Sequence, residues 1–425
     1  MYHNIDSMEA GKLRIIETLL FKGFEVKLFS FSALDKYLDF PVLPFAFMET
    51  NADISQLAHF ADELCFPGAD LADAAMDEVT DKENCRIYFR CRENYEQPLS
   101  PSYNLLSLVY DCKKNCFLDT QGIYPLIRSI KNNAFDGTSI EGWWDSLNPN
   151  ACGMEALINA SLLLARYNKV KYPPKDFIEM LSRAIENKPA PNMEAQQMLL
   201  IGLMASSRPD RGLELLKASG FLKKHWPEIA RLDDADHLKE FHPEGNAWKH
   251  TLKTFEHRKH NSQGQYDLCL SLALLLHDIG KPLSQDLNLR NSAARQNTAR
   301  QSVARPFDGH AELGARAAAN FLERLEFDIL HGADTRYIID NVYYLVKNHM
   351  LPAALARLPL MRTGDVMSSP LFPSLMELYR CDESSSFKGL DSYYENSAAY
   401  QAFLRNRKNP YRSLDGRVYR PGRSR

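Results

Sequence analysis

His277 and Asp278 stand side by side at the end of the apolar run Leu274-Leu275-Leu276. An imidazole and a carboxylate at the end of a core helix are costly to bury unless something satisfies both, and a divalent cation would. The plain alternative is a dipeptide capped by the local backbone before Gly280 and Pro282 stop the helix. Four further ligand-type residues favour the cation. His250 lies on the stretch from Ala247 to Leu252, His310 opens the stretch to Gly314, His349 ends the stretch from Leu345, and Asp382 follows Tyr379-Arg380-Cys381. Imidazole and carboxylate ligands without cysteine favour Mn, Fe, Ni, Mg or a similar ion over structural zinc. Such an ion lowers the pKa of a coordinated water and clamps a phosphoryl oxygen, so the expected chemistry is hydrolysis of a phosphate ester. If all six residues converge they suffice for two metals, with Asp278 able to bridge them.

Those residues need a scaffold. At 425 residues the chain exceeds one ordinary core, so two or three domains are expected. The first stretch mixes strand-like runs (Glu25 to Phe29, Arg86 to Phe89, Leu105 to Tyr110) with a helical pattern from Ile54 to Leu64, which predicts an α+β domain over 1–135. From about Gly153 the pattern is wholly helical, which predicts an all-α connecting segment over 136–235. An all-α histidine-bearing domain then occupies 236–404. The chain is therefore expected to be predominantly helical. Within 287–306, Arg290, Arg295, Arg300 and Arg305 stand among small polar residues with no acidic one, which reads as a basic loop; 405–425 reads as a basic tail unable to form a core. Both could touch phosphate or RNA, or be solvated surface.

A net charge of -3 gives no global attraction to nucleic acid, so RNA binding would rest on these local patches. The eight cysteines, including Cys85, Cys91, Cys112 and Cys116, fit no zinc-ribbon spacing and are expected as reduced thiols. Met1 to Asp6 lacks a basic region leading into an apolar run, and no apolar run reaches membrane-spanning length. The expectation is a cytoplasmic protein with no membrane contact.

The spacing His250-Thr251, His277-Asp278-x-Gly280-Lys281, Gly309-His310, Asn348-His349 and Asp382 resembles the motifs of the HD superfamily of metal-dependent phosphohydrolases. It is most similar to the HD domain that follows the catalytic head in bacterial CCA-adding enzymes and poly(A) polymerase-like relatives. The lead-in from His242 to Lys249 strengthens this. The resemblance implies that His250, His277, Asp278 and Asp382 are core metal ligands. It implies that His310 and His349 complete a second metal position or bind phosphate, that Lys281 offsets phosphate charge, and that the substrate is a nucleotide or RNA phosphate ester.

The first half resembles that family's nucleotidyltransferase head with its chemistry eroded. Ser30 and Phe31 stand where two glycines would let the backbone approach a triphosphate. Asn51-Ala52-Asp53 resembles the metal-holding Asp-x-Asp with one carboxylate left, and Cys85 stands at the third carboxylate. Ser100-Pro101-Ser102 replaces Arg-Arg-Asp, and the neck helix around Ala156 to Ala160 lacks the family's arginines. The resemblance thus implies a scaffold that no longer transfers nucleotides, unless Asp35 or Glu49 supplies a carboxylate. An RNA nucleotidyltransferase and a non-catalytic RNA-binding module are the rival readings.

Overall fold

The computed structural model describes residues 15–41, 43–53, 55–57, 77–80, 86–90, 101–131, 142–148, 153–235, 245–294, 309–330, 333–386 and 389–405. They form two compact units. The first comprises Met1–Phe221 together with His260–Tyr266 and Leu325–Thr335, and the second the rest. The boundary therefore falls at Phe221, earlier than the sequence pattern suggested, and two short segments from the histidine-bearing region belong to the first unit.

The first unit holds a six-stranded mixed sheet with strand order β3-β4-β2-β1-β5-β6. Its strands are β1 (Val26–Phe29), β2 (Phe45–Thr50), β3 (Asp77–Thr80), β4 (Arg86–Arg90), β5 (Val109–Asp111) and β6 (Cys116–Leu118). Only β2 and β4 run parallel. Strand β2 reads Phe-Ala-Phe-Met-Glu-Thr and is buried along its whole length, as a strand covered on both faces should be. Leu105 and Leu106, expected on a strand, sit instead on a 3-10 turn (Asn104–Leu106) that precedes β5.

Helix α1 (Ser30–Leu38) follows β1 without a loop, and the sharp turn is made by Ser30 at φ +54°. It is anchored at its other end, where Asp35 is buried against Arg166 Nε and the Tyr167 hydroxyl, each 2.6 Å from Asp35 Oδ1. After α2 (Tyr124–Lys131) comes α3 (Gly153–Arg166), which Arg166 ends; it is the first of four neck helices with α4 (Lys175–Glu186), α5 (Met193–Met204) and α6 (Pro209–Ala218). Asp35 is therefore committed to a structural ion pair.

The second unit is helical: α7 (Ala247–Thr254), α8 (Leu268–Leu276), α9 (Lys281–Ala294), α10 (His310–Arg324), α11 (Arg336–Asn348), α12 (Leu360–Met367), α13 (Phe372–Ser385) and α14 (Asp391–Arg405). Helix α8, Leu-Cys-Leu-Ser-Leu-Ala-Leu-Leu-Leu, is apolar all round and buried from Leu270 onward, the pattern of a central core helix. It packs against α7, α10, α11 and α13. Its start is fixed by Asp267, whose Oδ1 accepts the Leu270 amide at 2.7 Å.

One sequence expectation holds here and one changes. Helix α8 stops at Leu276, before Gly280 and Pro282, and a new helix, α9, starts at Lys281 with Pro282 in its first turn, where its missing N–H costs nothing. Residues 287–294 of the expected basic loop continue α9, because no glycine or proline interrupts Leu287 to Ala294. Arg290 is thus helical, while Arg295, Arg300, Arg305 and the tail from 406 lie outside the described residues. No helix among the described residues is long and apolar enough to cross a membrane.

Candidate metal centre

Five helices of the second unit deliver six ligand-type side chains to one locus, and all but Asp382 are buried. His250 sits inside α7, whose start is set by Asn246 Oδ1 accepting the Lys249 amide. His277 caps α8, and Asp278 follows in the turn before α9. His310 opens α10, His349 follows α11 directly, and Asp382 lies in the last turn of α13. Glycine makes the approach of α10 possible. A Cβ on Gly280 would lie 2.0 Å from the His310 carbonyl oxygen and 2.5 Å from the Gly314 nitrogen.

Two groups of three result, His250/His277/Asp382 and Asp278/His310/His349, each with its ligand atoms within 4.8 Å of one another. Asp278 faces both: Oδ2 lies 3.4 Å from His277 Nε2 and 3.9 Å from His250 Nε2, while Oδ1 lies 3.9 Å from His310 Nε2. The Lys281 ammonium is 2.6 Å from Asp278 Oδ2.

The hydrogen bonds behind the imidazoles decide which nitrogen faces inward. His277 Nδ1 donates to the Leu274 carbonyl at 2.8 Å, and His349 Nδ1 to the Val346 carbonyl at 2.7 Å. A carbonyl can only accept, so a neutral ring keeps its proton on Nδ1 and turns the Nε2 lone pair to the centre. The Nε2 of His277 is buried with no hydrogen-bond partner. His349 Nε2 lies 3.2 Å from His310 Nε2, and His250 Nε2 lies 2.8 Å from Asp382 Oδ1. Acceptors crowded together in this way call for a shared proton or a cation.

Electrostatics point the same way. Burial by itself would raise the Asp278 carboxyl, but His277, Lys281 and His250 hold it well below the usual carboxylate range. Burial opposes ionisation of Asp382 as well, and the hydrogen bond and charge of His250 outweigh it, leaving this carboxyl lowered. Burial, reinforced by His277 and His310, pushes the His349 imidazole down to about 3, so it stays neutral. Ionised carboxylates and a neutral His349 imidazole are the protonation states that divalent metals require of their ligands. The residues present therefore fit one or two divalent ions.

Residues 248–373 match the HD domain family. That segment contains five of the six ligand-type residues and leaves Asp382 just beyond it. Curated relatives include the CC-adding tRNA nucleotidyltransferase of Thermus thermophilus, 32% identical over 160 residues that make up 38% of this chain and 32% of that protein. The A-adding tRNA nucleotidyltransferase of Deinococcus radiodurans is 32% identical over 208 residues, 47% of this chain and 41% of that protein. The chain spans less than half the length of these two relatives. A solved "tRNA-processing enzyme (apo form I)" aligns over 95% of this chain and 93% of that chain, at 12% identity and a TM-score of 0.46. The HD superfamily and the CCA-adding proteins are the groups that the motifs resembled.

Ser385 escaped the sequence reading, as did the close backbone packing at Gly280 and Gly314. A serine one helical turn after Asp382 was the available signal for the first. His257 and His260, which lie outside those motifs, belong to neither group of three.

The head residues are not brought together. β1 and β2 are antiparallel with Leu28 opposite Met48 and Val26 opposite Thr50. Asn51 and Asp53 therefore lie at the opposite end of β1 from Ser30 and Phe31, about 13 Å away at strand rise. Asn51 Oδ1 accepts the Glu25 amide at 2.8 Å. Asp53 is used locally, its Oδ1 accepting the Gln56 amide at 2.8 Å while Gln56 Oε1 accepts the Asp53 amide at 2.9 Å. Beside the β1–α1 turn stand aromatic rings instead: Phe29 and Phe47 at 5.7 Å, and Phe47 stacked on Tyr88 at 5.3 Å. Glu49 is buried, 3.5 Å from Arg90 and 3.9 Å from Lys27, and burial raises its carboxyl despite both cations. Cys85 lies outside the described residues.

Proposed function

We propose that this chain is a metal-dependent phosphohydrolase or phosphodiesterase of the HD class, acting on a nucleotide or RNA phosphate ester. The observation that carries this reading is the pair of triads joined by Asp278, with imidazole lone pairs and ionised carboxylates turned inward. A divalent metal held by His250, His277, Asp278, His310, His349 and Asp382 would supply Lewis acidity toward a phosphoryl oxygen and acidify a water. His277 and His349 keep their protons on Nδ1, against backbone carbonyls. Asp278 presents one oxygen to each triad, and Lys281 sets its positive charge beside the position where a phosphate would add negative charge. A cytoplasmic setting belongs to this proposal, as does an RNA partner, which the similarity to tRNA nucleotidyltransferases supports.

The head, in the same reading, is a scaffold without nucleotidyl transfer. In support, Asn51 and Asp53 are separated from Ser30, and the strand positions beside Ser30 carry phenylalanine. The second reading, an RNA nucleotidyltransferase, is favoured by the similarity to tRNA nucleotidyltransferases, and on the described strands it leaves Glu49, paired with two cations, and Asp111, paired with Lys114, as buried carboxylates.

Purified protein given Mn or Ni should hydrolyse bis-p-nitrophenyl phosphate or a 2′,3′-cyclic nucleotide. Activity that survives His277→Ala with Asp278→Ala would end the first reading. Extension of an RNA primer with labelled CTP and ATP would establish the second.

A further inference from the structure

His250 differs from the other ligand histidines in how its proton is held. His277 and His349 follow helix C-termini, where the carbonyl three residues back is free to accept. His250 lies within α7, where preceding carbonyls are committed to the helix. Its Nδ1 instead meets the hydroxyl of Ser385 at 3.1 Å. That hydroxyl donates its own hydrogen to the Asp382 carbonyl at 2.6 Å, so the oxygen's lone pairs face His250. Ser385 and His250 are both buried.

We infer that Ser385 is a positioning residue for the metal centre: it holds the His250 proton on Nδ1 and so frees Nε2 for the cation of the His250/His277/Asp382 triad. The chain His250 Nδ1–H to Ser385 Oγ–H to the Asp382 carbonyl ties two ligands of one triad together through a single hydroxyl. Without it, the His250 proton moves to Nε2, 2.8 Å from Asp382 Oδ1, and the two ligands satisfy each other instead of a metal. The other triad, Asp278/His310/His349, does not touch Ser385. This inference rests on the metal reading above and deepens it.

The test is a Mn2+ titration of the full chain followed by electron paramagnetic resonance of the free ion. Removing a group that orients a metal-bound histidine weakens binding about 10–100-fold. Ser385→Ala should show that loss at one of two sites and wild-type affinity at the other, and Ser385→Thr should restore the weakened site. Equal weakening at both sites, as general loosening would give, overturns the inference, as does unchanged affinity at both. A second measurement needs no variant: nitrogen-15 spectra of the Mg2+-loaded wild-type protein should show a slowly exchanging Nδ1–H on His250, and its absence overturns the inference. Wild-type protein that takes up no Mn2+ ends the metal reading itself, whereas failure of the Ser385 outcomes alone leaves that reading standing.

Discussion

Replacing Gly280 with alanine tests the construction of the site most directly. The added Cβ would lie 2.0 Å from the His310 carbonyl oxygen, 2.5 Å from the Gly314 nitrogen and 2.8 Å from the Gly314 Cα. All three are backbone atoms, so no rotamer change relieves the overlap. Non-bonded carbon contacts rest at about 3.5 Å, so the first turn of α10 must retreat by about 1.5 Å. Metal-ligand distances tolerate about 0.2 Å, and His310 would leave the Asp278/His310/His349 triad. Overpacking of this kind costs about 1–3 kcal/mol. Gly280→Ala should therefore melt several degrees below wild type, bind one Mn2+ where wild type binds two, and lose phosphodiesterase activity. Gly314→Ala is the graded control. Its Cβ would approach no nearer than 3.2 Å, to the Gly280 nitrogen, and should cause a smaller loss. The reasoning is refuted if Gly280→Ala keeps the wild-type melting temperature, metal stoichiometry and turnover.

Ser30→Gly should stabilise the protein by about 1 kcal/mol, because Ser30 sits at φ +54° and glycine adopts that conformation without strain; a denaturant midpoint at or below wild type would contradict this. Asp35→Asn leaves the Arg166 guanidinium buried without its carboxylate and should cost about 3–5 kcal/mol in urea unfolding; a change under about 1 kcal/mol would mean the pair is hydrated. In EDTA, acid should destabilise the fold. The His349 imidazole, ordinarily near 6.5, is held at about 3, so the unfolded chain takes up the proton first as pH falls. Stability should then drop by about 1.4 kcal/mol per pH unit below about 6.5, and His349→Leu should flatten that slope between about pH 6.5 and 4. Below that window protonation of Asp278 adds to the loss, since its lowered pKa makes its contribution one that disappears in acid.

The site was legible in the sequence to the extent that chemistry and local periodicity write it. His277-Asp278 after an apolar run, His310 opening a helix and His349 closing one are each local facts. The helices begin and end where those residues predicted. The fold class followed for the same reason, since periods of two and of 3.6 residues separate the mixed head from the helical remainder. What one chain of letters does not contain is distance. The split into two triads, the two-faced role of Asp278 and the Ser385 bridge between α13 and α7 depend on helices separated by tens to more than a hundred residues, and only their packing brings those atoms within bonding range.

The head shows the converse. Asn51-Ala52-Asp53 resembles a metal-holding pair with one carboxylate left, and strand register places it at the far end of β2 from Ser30, with Asp53 spent as a helix cap. Residue type by itself proposed an eroded site there, and antiparallel pairing separates its parts. For this protein the sequence determined which side chains could bind a cation and which elements carry them. Tertiary structure decided which of them meet, because ligation requires convergence within a few ångströms and only the packed core of α8 with its neighbours enforces that.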